Sequence, residues 1–176
     1  MCAFCEGETH EDFVDSLRCK VSRFGFTLMS VGDGPEDRGV VYTIGLIDEC
    51  DHPELLISGY PIADAAEILC DVGRFVSRGH RIDQWRSFRY KRAAKLGLVQ
   101  IDEEHLRDGL MAAWNWCYGD VDVGRLTALQ VLLPDGSCCF RHQTTQPVLG
   151  PLKVRRHPNW MQRDDNRVVI RLPQSV

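Results

Sequence analysis

The sequence lacks any long apolar run. None of its hydrophobic stretches approaches the roughly 18–20 residues that a membrane-spanning helix needs, so no membrane segment is predicted. Residues 1–8 have neither the basic region nor the apolar core of a secretory signal peptide. These absences predict a cytoplasmic protein. Its eight cysteines are therefore expected to be reduced rather than paired in disulfides.

Several catalytic sequence motifs are also missing. The chain has no glycine-rich dinucleotide-binding or phosphate-binding loop, no Gly-x-Ser-x-Gly elbow and no His-Glu-x-x-His. Ordinary nucleotide hydrolysis, serine hydrolase and zinc protease activities are therefore disfavoured, and no cofactor is predicted. Whether the chain is an enzyme stays open at this point.

Hydrophobic periodicity predicts hairpins mixed with helices. Short β-branched runs between glycine- or proline-containing turns predict strands over residues 26–31, 40–46, 55–58 and 126–133. Apolar residues at helical spacing predict helices from the Thr9 N-cap to Gly25, over 61–78 and over 103–117. This mixture predicts a single α+β domain with a mainly antiparallel sheet built from hairpins and two or three packed helices.

Less regular segments complete the predicted organisation. Residues 80–90 and 99–101 are predicted to be extended, a second hairpin is predicted to reach 137–141, and a last strand is predicted over 168–172. The chain divides into a flexible tip at 1–9, the domain at 10–150 and a basic C-terminal extension at 151–176. The predicted core comprises Ile44, Leu46, Leu56, Ile68, Leu69, Val72, Leu110, Leu129, Val131 and Leu133.

Two neighbouring segments form a distinctive motif. Tyr42-Thr43-Ile44-Gly45-Leu46 is followed by His52-Pro53-Glu54-Leu55. This pattern resembles the bacterial and phage family known as domain of unknown function 4262. Its hallmark is tyrosine-threonine-(valine or isoleucine)-glycine-leucine and then histidine-proline-glutamate-leucine. The resemblance covers about residues 24–150 and implies a domain without an established activity. One departure is Cys139-Phe140, where many members have proline-tryptophan.

His52 and Glu54 are the strongest candidates for a catalytic or metal-binding role. A histidine titrates near neutral pH and can act as an acid, a base or a metal ligand, and a nearby carboxylate can orient it. Pro53 would stiffen the loop between them. The structural alternative is that His52 bonds only loop backbone, while Glu54 neutralises a basic neighbour or caps a turn.

Tyr42, Thr43 and Gly45 extend this candidate site onto the preceding strand. Strand alternation places Tyr42 and Ile44 on one face and Thr43 and Gly45 on the other. A glycine inside a strand indicates close approach by a ligand or by another group, such as a packed aromatic ring. We therefore predict ligand contact by Tyr42, Thr43, Gly45, His52 and Glu54.

Two functional hypotheses follow from this segment. The first is a binding module that recognises an unknown small molecule or protein partner through residues 42–54. The resemblance allows that partner to be a host protein if the chain is phage-encoded. The alternative is an enzyme that uses His52 and Glu54 as an acid–base pair or a metal site.

The pair Cys2-x-x-Cys5 leaves one metal site open. Two thiolates at this spacing can bind the same zinc ion, but structural zinc needs four ligands. His10 is the nearest third candidate, and Cys50 or His52 could complete the set. The alternative is an unligated N-terminal tip.

A basic segment raises a second alternative function. Residues 74–95 contain eight basic side chains and one acidic side chain, and aromatic residues are interleaved with them. Such a segment can contact nucleic acid through phosphates and stacked bases. The net charge of −4 and the lack of a recognised motif argue against it. The residues that would make this contact are Arg81, Arg86, Arg89, Lys91 and Arg92.

Overall fold

The computed structural model describes residues 9–32, 34, 38–83, 87–90, 94–107, 110–118 and 126–133. Within these ranges the chain forms five helices and six strands. In chain order they are α1 His10–Phe24, β1 Thr27–Val31, β2 Arg38–Ile44, α2 Leu46–Cys50, β3 Glu54–Pro61, α3 Ile62–Ser77, β4 Ser87–Tyr90, β5 Ala94–Gln100, α4 Glu103–Arg107, α5 Ala112–Tyr118 and β6 Ala128–Leu132. None of the helices in these ranges is long and apolar enough to cross a membrane.

The first helix begins and ends where its sequence predicts. The Thr9 hydroxyl accepts a hydrogen bond from the Asp12 N–H, and the Asp12 carboxylate accepts one from the Thr9 N–H. This reciprocal cap satisfies two backbone donors that the first turn leaves unpaired. Gly25 ends α1 in the left-handed conformation, with φ of 79°, and its N–H donates to the carbonyl of Val21.

One mixed sheet carries all six of these strands, in the order β1-β2-β3-β6-β5-β4. The pairs β1–β2, β2–β3, β4–β5 and β5–β6 are antiparallel, and only β3–β6 is parallel. The prediction of an α+β domain with a mainly antiparallel sheet is confirmed. Strand β6 lies inside the sheet, between β3 and β5.

Helices cover both faces of the sheet. Helix α3 packs on one face against Val41, Leu55 and Ile57, while α1, α4 and α5 pack on the other against Ile44 and Leu56. The predicted core residues are buried, except that Leu110 is only partly buried at the edge of its cluster. The strand alternation predicted for Tyr42 and Ile44 also holds, since both side chains lie on the face of the sheet that α1, α4 and α5 cover.

Some boundaries differ from the prediction. The segment predicted as a loop over 47–54 contains α2, and the short segment at 99–101 belongs to a longer strand, β5. The helix predicted over 103–117 is divided into α4 and α5. Gly109 lies between them in sequence, and glycine is a poor helix former. The strands predicted at 137–141 and 168–172 lie outside the described residues.

Candidate functional site

A fully buried carboxyl group lies at the centre of the candidate site. Glu54 is the first residue of β3 and is 0% exposed. Its Oε2 accepts a hydrogen bond from the hydroxyl of Thr43 at 2.6 Å. Its Oε1 accepts from the Gly45 N–H at 2.8 Å, the Trp114 indole N–H at 3.2 Å and the Ile47 N–H at 3.4 Å. Four donors therefore converge on a single side chain.

Thr43 connects this carboxyl group to the sheet. It lies on β2, the antiparallel neighbour of β3, and its hydroxyl accepts a hydrogen bond from the Leu55 N–H at 2.8 Å. The same hydroxyl donates to Glu54, so one side chain bridges a backbone amide and a carboxyl oxygen. A buried hydroxyl with both roles filled is a stabilising contact between strands.

Gly45 is required by its backbone conformation and by the close approach of α1. It lies just beyond β2 as the N-cap of α2, with φ of 114°. A Cβ atom there would lie 2.7 Å from Cγ1 of Val21. The neighbour that explains this glycine is thus an aliphatic side chain rather than an aromatic ring. Because Gly45 has no side chain to cap α2, Glu54 accepts the N–H groups at the start of that helix.

The charge state of Glu54 reflects two opposed effects. Burial raises the pKa of Glu54 above its ordinary value, while the hydrogen bonds from Thr43 and Gly45 act to lower it. Among the described residues no salt bridge involves this carboxyl group. Hydrogen-bond donors without a full positive charge therefore stabilise it.

His52 is held by backbone groups on both sides of its ring. The side chain is 1% exposed. Its Nδ1 lies 2.7 Å from the carbonyl oxygen of Pro53, and its Nε2 accepts a hydrogen bond from the Ile82 N–H at 3.3 Å. These contacts fit a neutral ring with the proton on Nδ1. Burial lowers the pKa of His52, which also favours the neutral ring.

An exposed ion-pair network lies beside this histidine. The guanidinium of Arg81 donates to Asp51 at 3.0 Å and to Asp83 at 3.0 Å. The Arg81 hydrogen bonds lower the pKa of the Asp83 carboxyl. Together with the bond from Ile82 to His52, they attach the turn before β3 to the segment that follows α3.

Tyr42 points to the opposite face of the sheet from Thr43. Its hydroxyl accepts a hydrogen bond from the Ala113 N–H at 3.2 Å, near the start of α5. Burial raises the pKa of Tyr42 to about 12. The five residues predicted to contact a ligand are thus buried. Thr43 and Gly45 are bonded to Glu54, whereas Tyr42 and His52 are bonded to other parts of the fold. Trp114 and Ile82, which complete this network, carry no motif that would have revealed their role.

This geometry favours the structural alternative for His52 and Glu54. No hydrogen bond joins these two described residues, and each has its polar atoms bonded to other groups. A general base must come within hydrogen-bonding distance of a substrate proton. Side chains that are 1% and 0% exposed cannot do so without opening of the fold.

Only some of the predicted zinc ligands lie among the described residues. Cys2 and Cys5 lie outside the described residues. His10 is exposed at the start of α1, and its ring makes a T-shaped contact with the ring of Trp116, with centroids 4.9 Å apart. Both nitrogens of His52 are already bonded. The described residues contain no group of three or more histidine, cysteine or acidic side chains placed to hold a metal ion.

Only some of the residues predicted to contact nucleic acid lie among the described residues. Arg81 is bonded to two aspartates, and Arg89 is exposed on β4. Arg86, Lys91 and Arg92 lie outside the described residues. Phe88 and Tyr90 are buried, so they do not offer exposed rings for base stacking.

Comparison with known proteins identifies a family and no activity. The model of the family described as domain of unknown function (DUF4262) matches residues 20–145, more than half of the 176 residues. The matched segment contains the buried network from Tyr42 to Trp114. No curated protein and no solved structure matches the chain.

Proposed function

The chain belongs to the family of domain of unknown function (DUF4262), and on that premise we propose that it is a protein-binding module. Its recognition surface is the exposed side of α2 and the turn that follows. The partner presents a basic surface. The module acts in the cytoplasm and does not use His52 or Glu54 as catalytic groups.

The observation that carries this proposal is the division of residues 42–54 into buried and exposed parts. The hallmark side chains other than the half-buried Pro53 are buried, whereas Asp48, Glu49 and Asp51 are exposed. Everything fully exposed in this segment is therefore acidic. Such a surface attracts a basic partner and repels the phosphates of nucleic acid.

The buried network gives this acidic surface a fixed position. Glu54 caps the start of α2. The backbone N–H of His52 donates a hydrogen bond to the carbonyl of Leu46 at 3.1 Å, which fixes the residues that follow the helix. Asp51 at the end of α2 is bonded to Arg81. A five-residue helix has little stability alone, so these contacts hold it in place. A rigid surface loses less conformational entropy on binding than a flexible loop would.

Charge reversal on two matched helices tests the proposal. Glu49 on α2 and Glu104 on α4 are both exposed glutamates on five-residue helices. Proteins are captured from cell extract with the wild type, Glu49→Lys and Glu104→Lys, and the captured partner is purified for binding measurements in increasing salt. We expect Glu49→Lys to weaken binding about tenfold while Glu104→Lys changes little, and we expect salt to weaken the wild-type complex.

The same comparison defines the contrary result. If all three baits retain the same partners with equal affinity, α2 is not the recognition surface. If the partner is an acidic protein or a nucleic acid, the electrostatic basis of the proposal is wrong. Circular dichroism of the two variants checks that neither substitution unfolds the chain.

A further inference from the structure

A basic side chain of the chain itself already contacts the acidic surface on α2. Nη1 of Arg81 donates to Oδ2 of Asp51 at 3.0 Å, although the two residues are 30 positions apart in sequence. The side chain of Asp51 is 98% exposed and that of Arg81 is 45% exposed. Part of the surface that we assign to a basic partner is therefore occupied by an internal cation.

The segment that carries Arg81 is fixed beside α2. Ile82 is 0% exposed in the core, and its N–H donates to the ring of His52. Nε and Nη2 of Arg81 donate to the two carboxylate oxygens of Asp83, at 3.2 Å and 3.0 Å. This paired contact orients the guanidinium group and directs Nη1 towards Asp51. Arg81 thus reaches Asp51 with little further loss of side-chain entropy.

The contact between Arg81 and Asp51 is exchangeable. An ion pair between exposed side chains contributes little net stability, because water and salt screen both charges. The position of α2 does not depend on this pair alone, since Glu54 caps the start of the helix and the His52 N–H donates to the Leu46 carbonyl. A cation from another molecule can therefore replace Arg81 at Asp51 while the helix stays in place.

We infer that Arg81 is an autoinhibitory group, which competes with the basic partner for Asp51 until an arginine or lysine of that partner replaces it. The inference rests on the proposed function, because it concerns the same surface. A ligand that reaches only Asp51 gains little, since it must displace a cation that is already oriented. A partner that binds Glu49 at the same time has a second contact to offset that competition. The arrangement therefore selects a partner with several basic side chains over an isolated charge.

A double-mutant cycle measures this competition. Isothermal titration calorimetry in low salt gives the affinity of the full chain for a hexa-arginine peptide. Arg81→Gln is expected to tighten peptide binding about threefold, which is within the range that an exposed ion pair provides. Arg78→Gln is the matched control, because it removes the same charge from an exposed side chain three residues earlier. No salt bridge among the described residues includes Arg78, so its loss should change the affinity much less.

The second arm of the cycle is Asp51→Asn. Residue 51 has a left-handed backbone, with φ of 48°, which asparagine also adopts, so the substitution removes the charge and retains the conformation. In the wild type Arg81 occupies Asp51, and we expect Asp51→Asn to weaken peptide binding only slightly. In the Arg81→Gln background Asp51 is open, and the same substitution should remove most of the gained affinity. This dependence on background separates competition at Asp51 from a general change in net charge.

Two results would overturn the inference: an Arg81→Gln variant that binds the peptide no more tightly than Arg78→Gln, or an equal effect of Asp51→Asn in both backgrounds. Glu49→Lys, titrated with the same peptide, separates this failure from failure of the proposed function. If Glu49→Lys weakens binding while the cycle is additive, α2 remains the recognition surface and Arg81 is not autoinhibitory. If Glu49→Lys has no effect, the proposed function is wrong and the inference fails with it. Circular dichroism checks that each variant is folded.

Discussion

The buried carboxyl group of Glu54 allows a sharp test of the structural network. Glu54→Ala removes the acceptor of three donors that have no other partner in the network: the N–H groups of Gly45 and Ile47 and the indole N–H of Trp114. The Thr43 hydroxyl can turn instead towards the Leu55 carbonyl, 3.5 Å away. We therefore expect Glu54→Ala to destabilise the fold strongly.

The expected magnitude follows from counting those donors. A buried donor left without an acceptor costs about 1–3 kcal/mol, so three donors give at least about 3 kcal/mol. The Ile47 bond is the longest, at 3.4 Å, and Ile47 is only partly buried, which keeps the estimate near the lower limit. Glu54→Gln is the matched control. Its amide oxygen can replace Oε1, and its NH2 group can donate to Thr43, so it should cost about 1 kcal/mol or less.

Urea unfolding of the three proteins, followed by tryptophan fluorescence and circular dichroism, measures both differences. The pH dependence gives a further check. Because burial raises the pKa of Glu54, its contribution to stability is present below the ordinary glutamate pKa and is lost as pH rises through the folded pKa. The wild type should therefore lose stability relative to Glu54→Gln as pH rises. A loss below about 1 kcal/mol for Glu54→Ala, or equal losses for both variants, would refute the reasoning.

Two further predictions concern this buried region, and a third concerns the metal content of the chain. Because burial lowers the pKa of His52, the wild type should lose stability relative to His52→Gln as pH falls below about 6.5. Urea unfolding at several pH values measures this, and equal pH dependence of the two proteins would contradict it. Gly45→Ala should destabilise the fold by about 2–3 kcal/mol, because it adds a clash with Val21 to the strain of a left-handed backbone. Gly79→Ala is the control: Gly79 has φ of 92° but no atom within 4 Å of an added Cβ, so the substitution should cost only about 1 kcal/mol. Equal losses of stability in thermal unfolding would exclude the clash. Elemental analysis of untagged protein should find substoichiometric transition metal, and a full equivalent of zinc would instead assign Cys2 and Cys5 as ligands.

Local patterns in the sequence were sufficient for much of the fold. The capping box at Thr9 and the Gly25 stop depend on neighbouring residues, so both ends of α1 could be predicted. The apolar periods likewise located α3 and the first three strands. The parallel pairing of β3 with β6 could not be predicted in this way, because it joins Glu54 to Ala128 across a long stretch of chain.

The candidate site shows the same limit more clearly. The motif marked Thr43, Gly45, His52 and Glu54 as candidate site residues, but their residue types fit catalysis and structure equally well. What favours structure is their set of partners. Ile82 and Trp114 come from distant segments, and neither their spacing nor their residue type indicates a bond to His52 or Glu54. Burial and hydrogen-bond satisfaction are properties of the packed molecule, so a motif alone cannot show them.

The internal position of β6 has a consequence for how the chain folds. Strands β1, β2 and β3 can pair through short connections, and β4 pairs with its neighbour β5 in the same way. These two groups have no direct strand contact, because β6 separates them. The two groups can therefore join in one sheet only when β6 pairs with both β3 and β5. We expect that long-range step to limit the folding rate and to make chains truncated before Ala128 prone to aggregation.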